Sequence, residues 1–248
     1  MSLLELKGVS KNFGGLRAVS GVSFNMEKGE ILGIIGPNGA GKSTLFNVLT
    51  GHLPKDTGRV IFRGEDISAL PPYEICKRRI GRSFQVINLF KRMTVFENIQ
   101  TAILAGRPGG LSFVRPAKSM VRKETEEILE NVGLTGKESV LASDLSHGGQ
   151  RQLELGIALA NKPELIFLDE PCAGLAVEET KGMVKLVQRL AKEQGLTVLL
   201  VEHKMDVVFS ISQKIRVLYE GRIIFEGIPE EVRKSEEVLR IYLGEKDE

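Results

Sequence analysis

The residues at positions 36–44, GPNGAGKST, have the types and spacing of a phosphate-binding loop, G-x-x-x-x-G-K-[ST]. Glycines let backbone N–H groups turn toward an anion, a lysine supplies positive charge to the β- and γ-phosphates, and a hydroxyl can bind Mg²⁺. The apolar run EILGII precedes the loop, and the helix predicted at 42–49 adds the partial positive charge of its N-terminus. We predict a nucleotide site whose phosphate-binding residues are Gly36, Pro37, Asn38, Gly39, Ala40, Gly41, Lys42, Ser43 and Thr44, with Ser43 also a metal ligand.

Polar side chains at the ends of other predicted strands can complete a hydrolytic site. Asp169 and Glu170 end the apolar run LIFLDE, where Asp169 can hold Mg²⁺ and Glu170 can polarise a water for attack on the γ-phosphate. His203 ends the next run, TVLLVEH, and can bond the γ-phosphate or the attacking water. Gln85, in GRSFQ, offers an amide oxygen as a further Mg²⁺ ligand. Each position alone is typical of an ordinary strand end, and the phosphate loop is what favours the metal-binding and catalytic roles.

A second glycine-rich helix start lies more than a hundred residues further along the chain. The sequence LSHGG at 145–149 precedes the amphipathic stretch QRQLELGIALA. A serine hydroxyl, flexible glycines and exposed N–H groups make Ser146 a good N-cap and the helix start a second anion-binding element. The same pattern also describes an ordinary helix cap.

The elements that must position these residues follow an alternating pattern. Continuous apolar runs at 30–35, 165–168 and 197–201 are each followed by a polar residue and a helix-like segment, which predicts a parallel α/β sheet with ligands at the strand C-termini. Further strands are predicted at 3–9, 21–24, 59–62 and 222–226. Helices are predicted at 95–105, 117–132 and 149–161, with no strand between 88 and 159. We expect an ATP-binding α/β core at 1–87 and 162–248, and an inserted helical subdomain at 88–161.

Composition excludes several classes of protein. The chain has 248 residues, with 34 Lys+Arg against 32 Asp+Glu, and this near balance argues against nucleic-acid binding. Its 2 cysteines cannot form a disulfide scaffold or a four-cysteine zinc site. The sequence has neither a long apolar run nor a signal-peptide pattern, so we expect no transmembrane segment and a cytoplasmic location.

Taken in order, these motifs resemble those of the ATP-binding subunits of ABC transporters. The resemblance covers nearly the whole chain: Walker A at 36–44, the Q-loop Gln85, the signature LSHGG, Walker B ending at Asp169, then Glu170, and the switch His203. It implies a P-loop NTPase fold of ABC type, with a mostly parallel core sheet, N-terminal antiparallel strands and an inserted helical subdomain. It also implies that Phe13, in KNFGG, stacks on adenine.

The resemblance also implies an assembly. Two such domains enclose two ATP molecules head to tail, so that Ser146, Gly148 and Gly149 of one domain face the phosphate loop of the other. The implied cofactors are ATP and Mg²⁺, with Ser43, Gln85 and Asp169 as metal ligands. The implied partners are a second ABC ATPase (identical or related), two integral membrane permeases and, indirectly, an extracytoplasmic substrate-binding protein. The chain would lie on the cytoplasmic face of the membrane, docked to the permeases through the region 85–90.

Two positions depart from the family pattern. In the usual signature LSGGQ, His147 takes the place of the first glycine and Gly149 that of the glutamine. Ala176 stands where the loop after Walker B usually ends in aspartate, so a side-chain bond across the dimer is lost.

Within the family, the chain looks most like the ATPases of branched-chain amino-acid importers. The similarity rests on GRSFQVINLFKRMTVFENI, GRPGGLSFVRP, LSHGGQRQLELGIALA, DEPCAGLAVEET and RIYLGE. The ATPases of urea importers share LSHG and EET, so a urea or amide importer remains an alternative. A soluble ABC ATPase of the iron–sulfur assembly type remains another. A GTP switch fits less well, because NKPE at 161–164 has Glu164 in place of the aspartate of N-K-x-D and precedes the Walker B strand. A P-loop kinase fits less well, because the signature has no role there.

Overall fold

The computed structural model of the chain describes residues 2–83, 88–107 and 121–243, and of residues 242–243 only the backbone. Its strands are β1 (Ser2–Phe13), β2 (Leu16–Glu27), β3 (Ile31–Ile35), β4 (Thr57–Phe62), β5 (Glu65–Asp66), β6 (Ile80–Arg82), β7 (Leu165–Asp169), β8 (Thr197–Val201), β9 (Lys214–Tyr219) and β10 (Arg222–Gly227). Its α-helices are α1 (Lys42–Leu49), α2 (Pro72–Lys77), α3 (Val95–Ala105), α4 (Arg122–Asn131), α5 (His147–Leu159), α6 (Val177–Gln194), α7 (Met205–Ile211), α8 (Pro229–Lys234) and α9 (Glu236–Leu243). Within these ranges, no helix is both long and apolar enough to cross a membrane.

The central sheet has the strand order β10-β9-β3-β8-β7-β6. Neighbouring strands are parallel except for β10, which pairs antiparallel with β9 at one edge. Every residue of β3, β7 and β8 is buried, as expected for parallel strands covered on both faces. The C-terminal ends of β3, β7 and β8 therefore meet at one sheet edge, where the phosphate loop, Asp169 and His203 follow.

Two apolar cores cover the two faces of this sheet. Alternate residues of β3 divide between them: Ile31 and Ile35 pack with the helices α3 to α7, whereas Leu32 and Ile34 pack with α1 and the N-terminal strands. Those strands form an antiparallel sheet of order β2-β1-β4-β5. Helix α1 lies in the second core, where the ring of Phe46 meets that of Phe167 edge to face at 5.5 Å.

The segment between β6 and β7 consists of α3, α4, a 3-10 turn (Ala142–Asp144) and α5 in its described part, with no strand there. Thr94 begins α3 with a capping box, since its side chain accepts from Glu97 N and the Glu97 carboxylate accepts from Thr94 N. An isolated antiparallel bridge between Thr94 and Leu141 joins the start of α3 to the residue before the 3-10 turn. Of the helix predicted at 117–132, the structure gives Arg122–Asn131, and residues 117–120 lie outside the described ranges.

The predicted fold class is confirmed: an α/β chain with a mostly parallel core sheet and antiparallel N-terminal strands. The strand β9 was not predicted, although it pairs directly with β3. Its sequence, KIRVLY, is interrupted by Arg216, which breaks the apolar run. Arg216 is nonetheless 1% exposed, because its guanidinium bonds the Glu226 carboxylate at 2.8 and 3.0 Å and lies 4.6 Å from the centre of the Phe24 ring.

Candidate functional site

The phosphate loop requires glycine at two positions because the rest of the chain presses against it. A Cβ at Gly36 would lie 2.1 Å from the Leu218 carbonyl oxygen, and one at Gly41 would lie 2.1 Å from that of Ala18. Gly41 also has φ +100°, which side chains rarely adopt. The loop between β3 and α1 is thus shaped by neighbouring backbone, and no other residue type fits at these positions.

Lys42, the first residue of α1, closes this loop. Its ammonium donates to the Gly36 carbonyl at 2.7 Å and to the Pro37 carbonyl at 2.9 Å. Burial lowers the pKa of Lys42, and the nearby charges of Glu170 and Asp169 oppose that shift. The amine therefore lies folded over the loop, within the electrostatic reach of both carboxylates.

A cleft of about 980 Å³ opens beside the loop, near the upper end of the range for small-molecule sites. Residues 38–44 line it, together with Phe13, His203 and Tyr219. The Phe13 ring is 47% exposed and carries the Lys11 ammonium 5.6 Å from its centre. An exposed aromatic face in a cleft with a phosphate-binding loop suits a purine base at one end and phosphates at the other.

The carboxylates that follow β7 occupy the adjoining sheet edge. Asp169 pairs with Val201 in the parallel ladder, and Glu170 N donates to the Val201 carbonyl at 2.9 Å. The His203 Nε2 lies 3.1 Å from Glu170 Oε1. Desolvation raises the pKa of Asp169, which is 5% exposed, although the Arg82 guanidinium acts in the opposite direction. The structure thus brings the predicted metal ligand, base and histidine together.

Arg82, on β6, is a site residue that the sequence analysis missed. Its Nη2 lies 3.5 Å from Asp169 Oδ2, and its Nη1 donates to Thr50 Oγ1 at 2.6 Å. Arg82 therefore links the end of α1 to the carboxylate that ends β7. A basic residue at the end of a buried strand, three positions before Gln85, was the available signal.

The second glycine-rich helix start does not join this cleft. Ser146 caps α5, and its hydroxyl accepts from Gly149 N at 3.1 Å. Gly148 N donates to Glu179 Oε1 at 3.2 Å. A separate cavity of about 160 Å³ is lined by Ser146, Gly148, Gly149 and Glu179, among others. Of the residues that the structure describes around the phosphate-loop cleft, none comes from α5.

Comparison with known proteins identifies the family in which a phosphate-loop cleft and a second glycine-rich helix start occur in one chain. The sequence model of the ABC transporter family matches residues 19–173. The chain belongs to the ABC transporter family. A second family, described as branched-chain amino acid ATP-binding cassette transporter, matches residues 222–248. As an ABC cassette, the chain binds ATP and is the ATP-hydrolysing subunit of an ABC transporter.

Individual relatives are similar to this cassette over most of its length. It is 39% identical to the high-affinity branched-chain amino acid transport ATP-binding protein BraF of Pseudomonas aeruginosa, with 98% of each chain covered. A crystal structure of an ABC transporter cassette in its ADP conformation superposes with a TM-score of 0.88 at 36% identity, covering 99% of this chain and 100% of that one. A dimeric cassette in a post-hydrolysis state bound to ADP and Pi has a TM-score of 0.78 at 28% identity, covering 91% of this chain and 98% of that one.

The cassette's predicted site residues lie in two separate places, and one of them, Gln85, lies outside the described residues. Residues 38–44 of the phosphate loop, Phe13 and His203 line one cleft, and Glu170 adjoins it through its contact with His203. Ser146, Gly148 and Gly149 lie apart, at the start of α5. Gln85 lies outside the described residues, so its predicted roles toward nucleotide and Mg²⁺ stay predictions.

The donor set of the cassette fits Mg²⁺ rather than a metal held by protein alone. In the described part of the chain, no cluster of three or more His, Cys, Asp or Glu side chains can hold a metal ion. Mg²⁺ bound to a nucleotide needs only one or two protein ligands, because phosphates and waters supply the rest. A buried carboxylate with a raised pKa, as in Asp169, is under-compensated and would gain from a cation.

Proposed function

We propose that this cassette hydrolyses ATP at the interface of two ABC ATPase subunits and thereby energises a membrane importer of branched-chain, hydrophobic amino acids. The observation that carries the assembly is the separation of two anion-binding helix starts within one chain. The phosphate loop lines the nucleotide cleft, whereas Ser146 and Gly148 line a different cavity. Both helix starts can bind one ATP if the second comes from another subunit.

Within one site, the division of work follows from position. Phe13 holds the adenine, and the phosphate loop with Lys42 binds the phosphates through backbone amides and one ammonium. Glu170 orients and deprotonates the attacking water, and His203, 3.1 Å from Glu170 Oε1, fixes that carboxylate and bonds the γ-phosphate. These roles suit in-line attack, in which positioning and electrostatics supply most of the rate.

Ser43, Asp169 and Gln85 are the proposed Mg²⁺ ligands. The ion would neutralise charge on the β- and γ-phosphates when bound. Arg82 contacts Asp169 at 3.5 Å and keeps that carboxylate at the edge of the sheet beside the phosphate loop.

The glycines of the signature support a ligand that arrives from outside the chain. A Cβ at Gly149 would lie 3.3 Å from Leu145 Cβ, a tight contact that requires Leu145 to shift by a few tenths of an ångström. A Cβ at Gly148 would lie 2.6 Å from Glu179 Oε1, so the Glu179 side chain would have to move. Both obstacles are side chains rather than backbone and neither glycine has a positive φ, so we attribute the two glycines to the close approach of a partner's nucleotide.

The two departures from the family pattern have local substitutes in the same subunit. The His147 ring packs against Gly174, with its Cε1 2.8 Å from where a Cβ would stand. At Ala176 the backbone N–H donates to Glu179 Oε2 at 3.2 Å. We infer that contacts within one subunit join the signature to the loop after β7, in place of the missing aspartate bond across the dimer.

The proposed transport role rests on the relatives and on the C-terminal family match at 222–248. We propose that residues 1–87 and 162–248 form the ATP-binding core and that 88–161 form the inserted subdomain. The partners are a second ABC ATPase, two integral permeases at the cytoplasmic face of the membrane and, indirectly, a substrate-binding protein. Phe90, 58% exposed beside the undescribed residues 84–87, belongs to the proposed permease-docking region.

The decisive experiment combines trapping with uptake. Glu170→Gln should bind ATP and Mg²⁺ but hydrolyse it at least about a hundredfold more slowly, because the base is removed. Light scattering should then detect an ATP-dependent dimer. The control is Glu178→Gln, the same chemical change at an exposed position on α6, and it should behave as wild type. Wild-type turnover in Glu170→Gln contradicts the catalytic assignment.

The substrate class is tested in cells that lack the chain. Wild-type protein should restore uptake of labelled leucine, isoleucine and valine, and Glu170→Gln should not. Restored urea uptake without amino-acid uptake would support the urea importer instead. Recovery of the tagged chain with soluble partners only would contradict the transport role.

A further inference from the structure

Glu170 is held in a backbone conformation that the chain must enforce. Its φ is +50°, in the left-handed region, although it is not glycine. Such a conformation costs about 1–3 kcal/mol and persists only where the surrounding structure over-determines it. Glu170 begins the loop of residues 170–176, here named the post-β7 loop, and two charged side chains that follow β8 contact this loop.

Glu202 supplies one of these contacts. It ends the buried part of the β8 segment directly before His203 and is 3% exposed. Its Oε1 accepts from Cys172 N at 2.7 Å, and its Oε2 accepts from His203 N at 3.1 Å. A buried carboxylate is stable only with such donors, so this side chain fastens the post-β7 loop to the backbone of the histidine.

Lys204 supplies a second contact, in which a cation binds the carbonyl side of the same residue, Cys172. Its ammonium donates to the Cys172 carbonyl at 3.1 Å and to the Leu175 carbonyl at 3.3 Å. The amide and the carbonyl of Cys172 are therefore held by side chains of opposite charge, two residues apart in sequence. The bonds to Cys172 and Leu175 go to the loop backbone, so they fix its path whatever the loop's side chains are.

We propose that Glu202 and Lys204 are positioning residues that lock the post-β7 loop, hold Glu170 in its left-handed conformation and keep its carboxylate beside His203. They act through the loop backbone. The proposal rests on the proposed role of Glu170 as the base. It deepens that role by naming what holds the base in place.

The kinetic test uses Glu202→Gln, Lys204→Met and the conservative Lys204→Arg in the full-length chain within its membrane complex. Misplacing a catalytic group by about 1 Å can cost about a hundredfold, so kcat should fall about 10- to 100-fold in the first two variants. KM for ATP should stay within about twofold, because the phosphate loop is untouched, and Lys204→Arg should recover most of kcat. The matched control is Glu30→Gln. Glu30 is another buried carboxylate that accepts a backbone N–H, and it precedes β3, at the end of that strand far from the phosphate loop.

Cys172 provides a readout that does not depend on activity. Burial, followed by the charge of Glu202, raises the pKa of this thiol to about 12, and the Lys204 ammonium acts in the opposite direction. By electrostatics alone, Lys204→Met therefore slows alkylation of Cys172 by iodoacetamide, since the thiolate is the reactive form. Release of the post-β7 loop predicts the reverse, several-fold faster alkylation, measured by mass spectrometry in a Cys76→Ser background.

Three outcomes overturn the proposal: kcat within twofold of wild type in both variants, a fall in ATP affinity equal to the fall in kcat, or alkylation that slows in Lys204→Met. Failure of the proposed function has a different signature. In that case Glu170→Gln keeps its turnover, while the alkylation rates still report whether Glu202 and Lys204 hold the loop.

Discussion

The starts of α1 and α5 are both glycine-rich helix N-termini, yet the chain treats them differently. Gly41, before α1, is left-handed and pressed against the Ala18 carbonyl. Gly149, in the first turn of α5, has a helical backbone, and the nearest atom to a Cβ there is the side-chain Cβ of Leu145 at 3.3 Å. The first start carries its own cation, Lys42, folded onto the loop, whereas the second is capped by the Ser146 hydroxyl.

In the proposed assembly, the difference is between a half-site that is complete within its own subunit and one that needs a partner's nucleotide. The contacts that shape the phosphate loop come from its own subunit. At α5, the Gly148 amide that a partner's phosphate would need is already bonded to Glu179. In the proposed assembly, the same local motif, a helix start with small residues, serves binding within the subunit in one place and recognition between subunits in the other.

The largest expected difference between the two helix starts is in stability, when one glycine of each is replaced by alanine. Gly41→Ala places a Cβ 2.1 Å from the Ala18 carbonyl and forces a left-handed alanine. We expect a loss of about 3 kcal/mol or more in the free energy of unfolding, measured by urea denaturation, and loss of ATP binding. Gly149→Ala should change stability by less than about 1 kcal/mol, because the better helix propensity of alanine offsets the tight 3.3 Å contact with Leu145 Cβ.

Equal destabilisation by the two alanines would break the comparison, because the signature glycine would then be demanded by its own chain. A Gly149→Ala variant that folds normally but no longer forms the ATP-dependent dimer would sharpen it. Both variants are measured as monomers first, without nucleotide, and then with ATP and Mg²⁺.

Removing the polar side chain at each helix start should separate binding from assembly. Lys42→Ala should weaken ATP binding to the monomer about 10- to 100-fold, because hydrogen bonds from a charged group contribute about 1.5–3 kcal/mol. Ser146→Ala should leave that affinity within about twofold and weaken only the ATP-held dimer. Isothermal titration measures the first quantity and light scattering the second. An unchanged ATP affinity in Lys42→Ala contradicts the phosphate-loop role.

The contact of Glu179 with the signature should have a smaller effect, and of opposite sign. Glu179→Gln removes a negative charge from the start of α5, where a partner's phosphates would bind, while its amide oxygen can still accept from Ala176 N. We expect the ATP-held dimer to tighten about two- to fivefold, as for a charge of about 0.3–1 kcal/mol at a helix N-terminus. The control Glu178→Gln, 84% exposed, should have no effect. The dimer dissociation constant is measured in the Glu170→Gln background, and a weaker dimer would contradict the expectation.

What the sequence predicted correctly is local. The phosphate loop is a fixed spacing of residue types, and the structure places it between β3 and α1 as predicted. The helix α3 was predicted with its bounds, because a capping box and an apolar period both lie within the segment. The missed strand β9 failed on one residue, Arg216, whose burial depends on Phe24 and Glu226 from other strands.

The positions that the sequence could not supply are those fixed by distant contacts. Arg82 meets Asp169 across neighbouring strands, and Glu202 reaches the amide of Cys172 thirty residues earlier. For Arg82 the position at the end of a strand was a sequence signal, but its partner Asp169, like the partner of Glu202, is given only by the packing. Gln85, predicted by motif, stays a prediction.

The smallest expected effect is the release of a proton from Asp169 when Mg²⁺ and ADP bind beside the phosphate loop. Burial raises the pKa of Asp169, so this carboxyl keeps its proton to a higher pH than an ordinary aspartate. Only the carboxylate can bind Mg²⁺, so binding of Mg²⁺ with ADP should release a fraction of a proton near this raised pKa. Affinity should accordingly rise with pH through that pKa and level off above it. Titration calorimetry in two buffers of different ionisation heat measures the released proton, with metal-free ADP subtracting the nucleotide's own titration.

Two variants make the proton measurement specific. Asp169→Asn should abolish the metal-dependent proton release, because the amide has no proton to lose. Ser146→Ala should preserve it, because the start of α5 takes no part in metal binding within one subunit. Proton release that persists in Asp169→Asn would assign the titrating group elsewhere and remove Asp169 from the metal site. Release that disappears in Ser146→Ala would mean that the two helix starts are already coupled in the monomer, against the separation that the two cavities indicate.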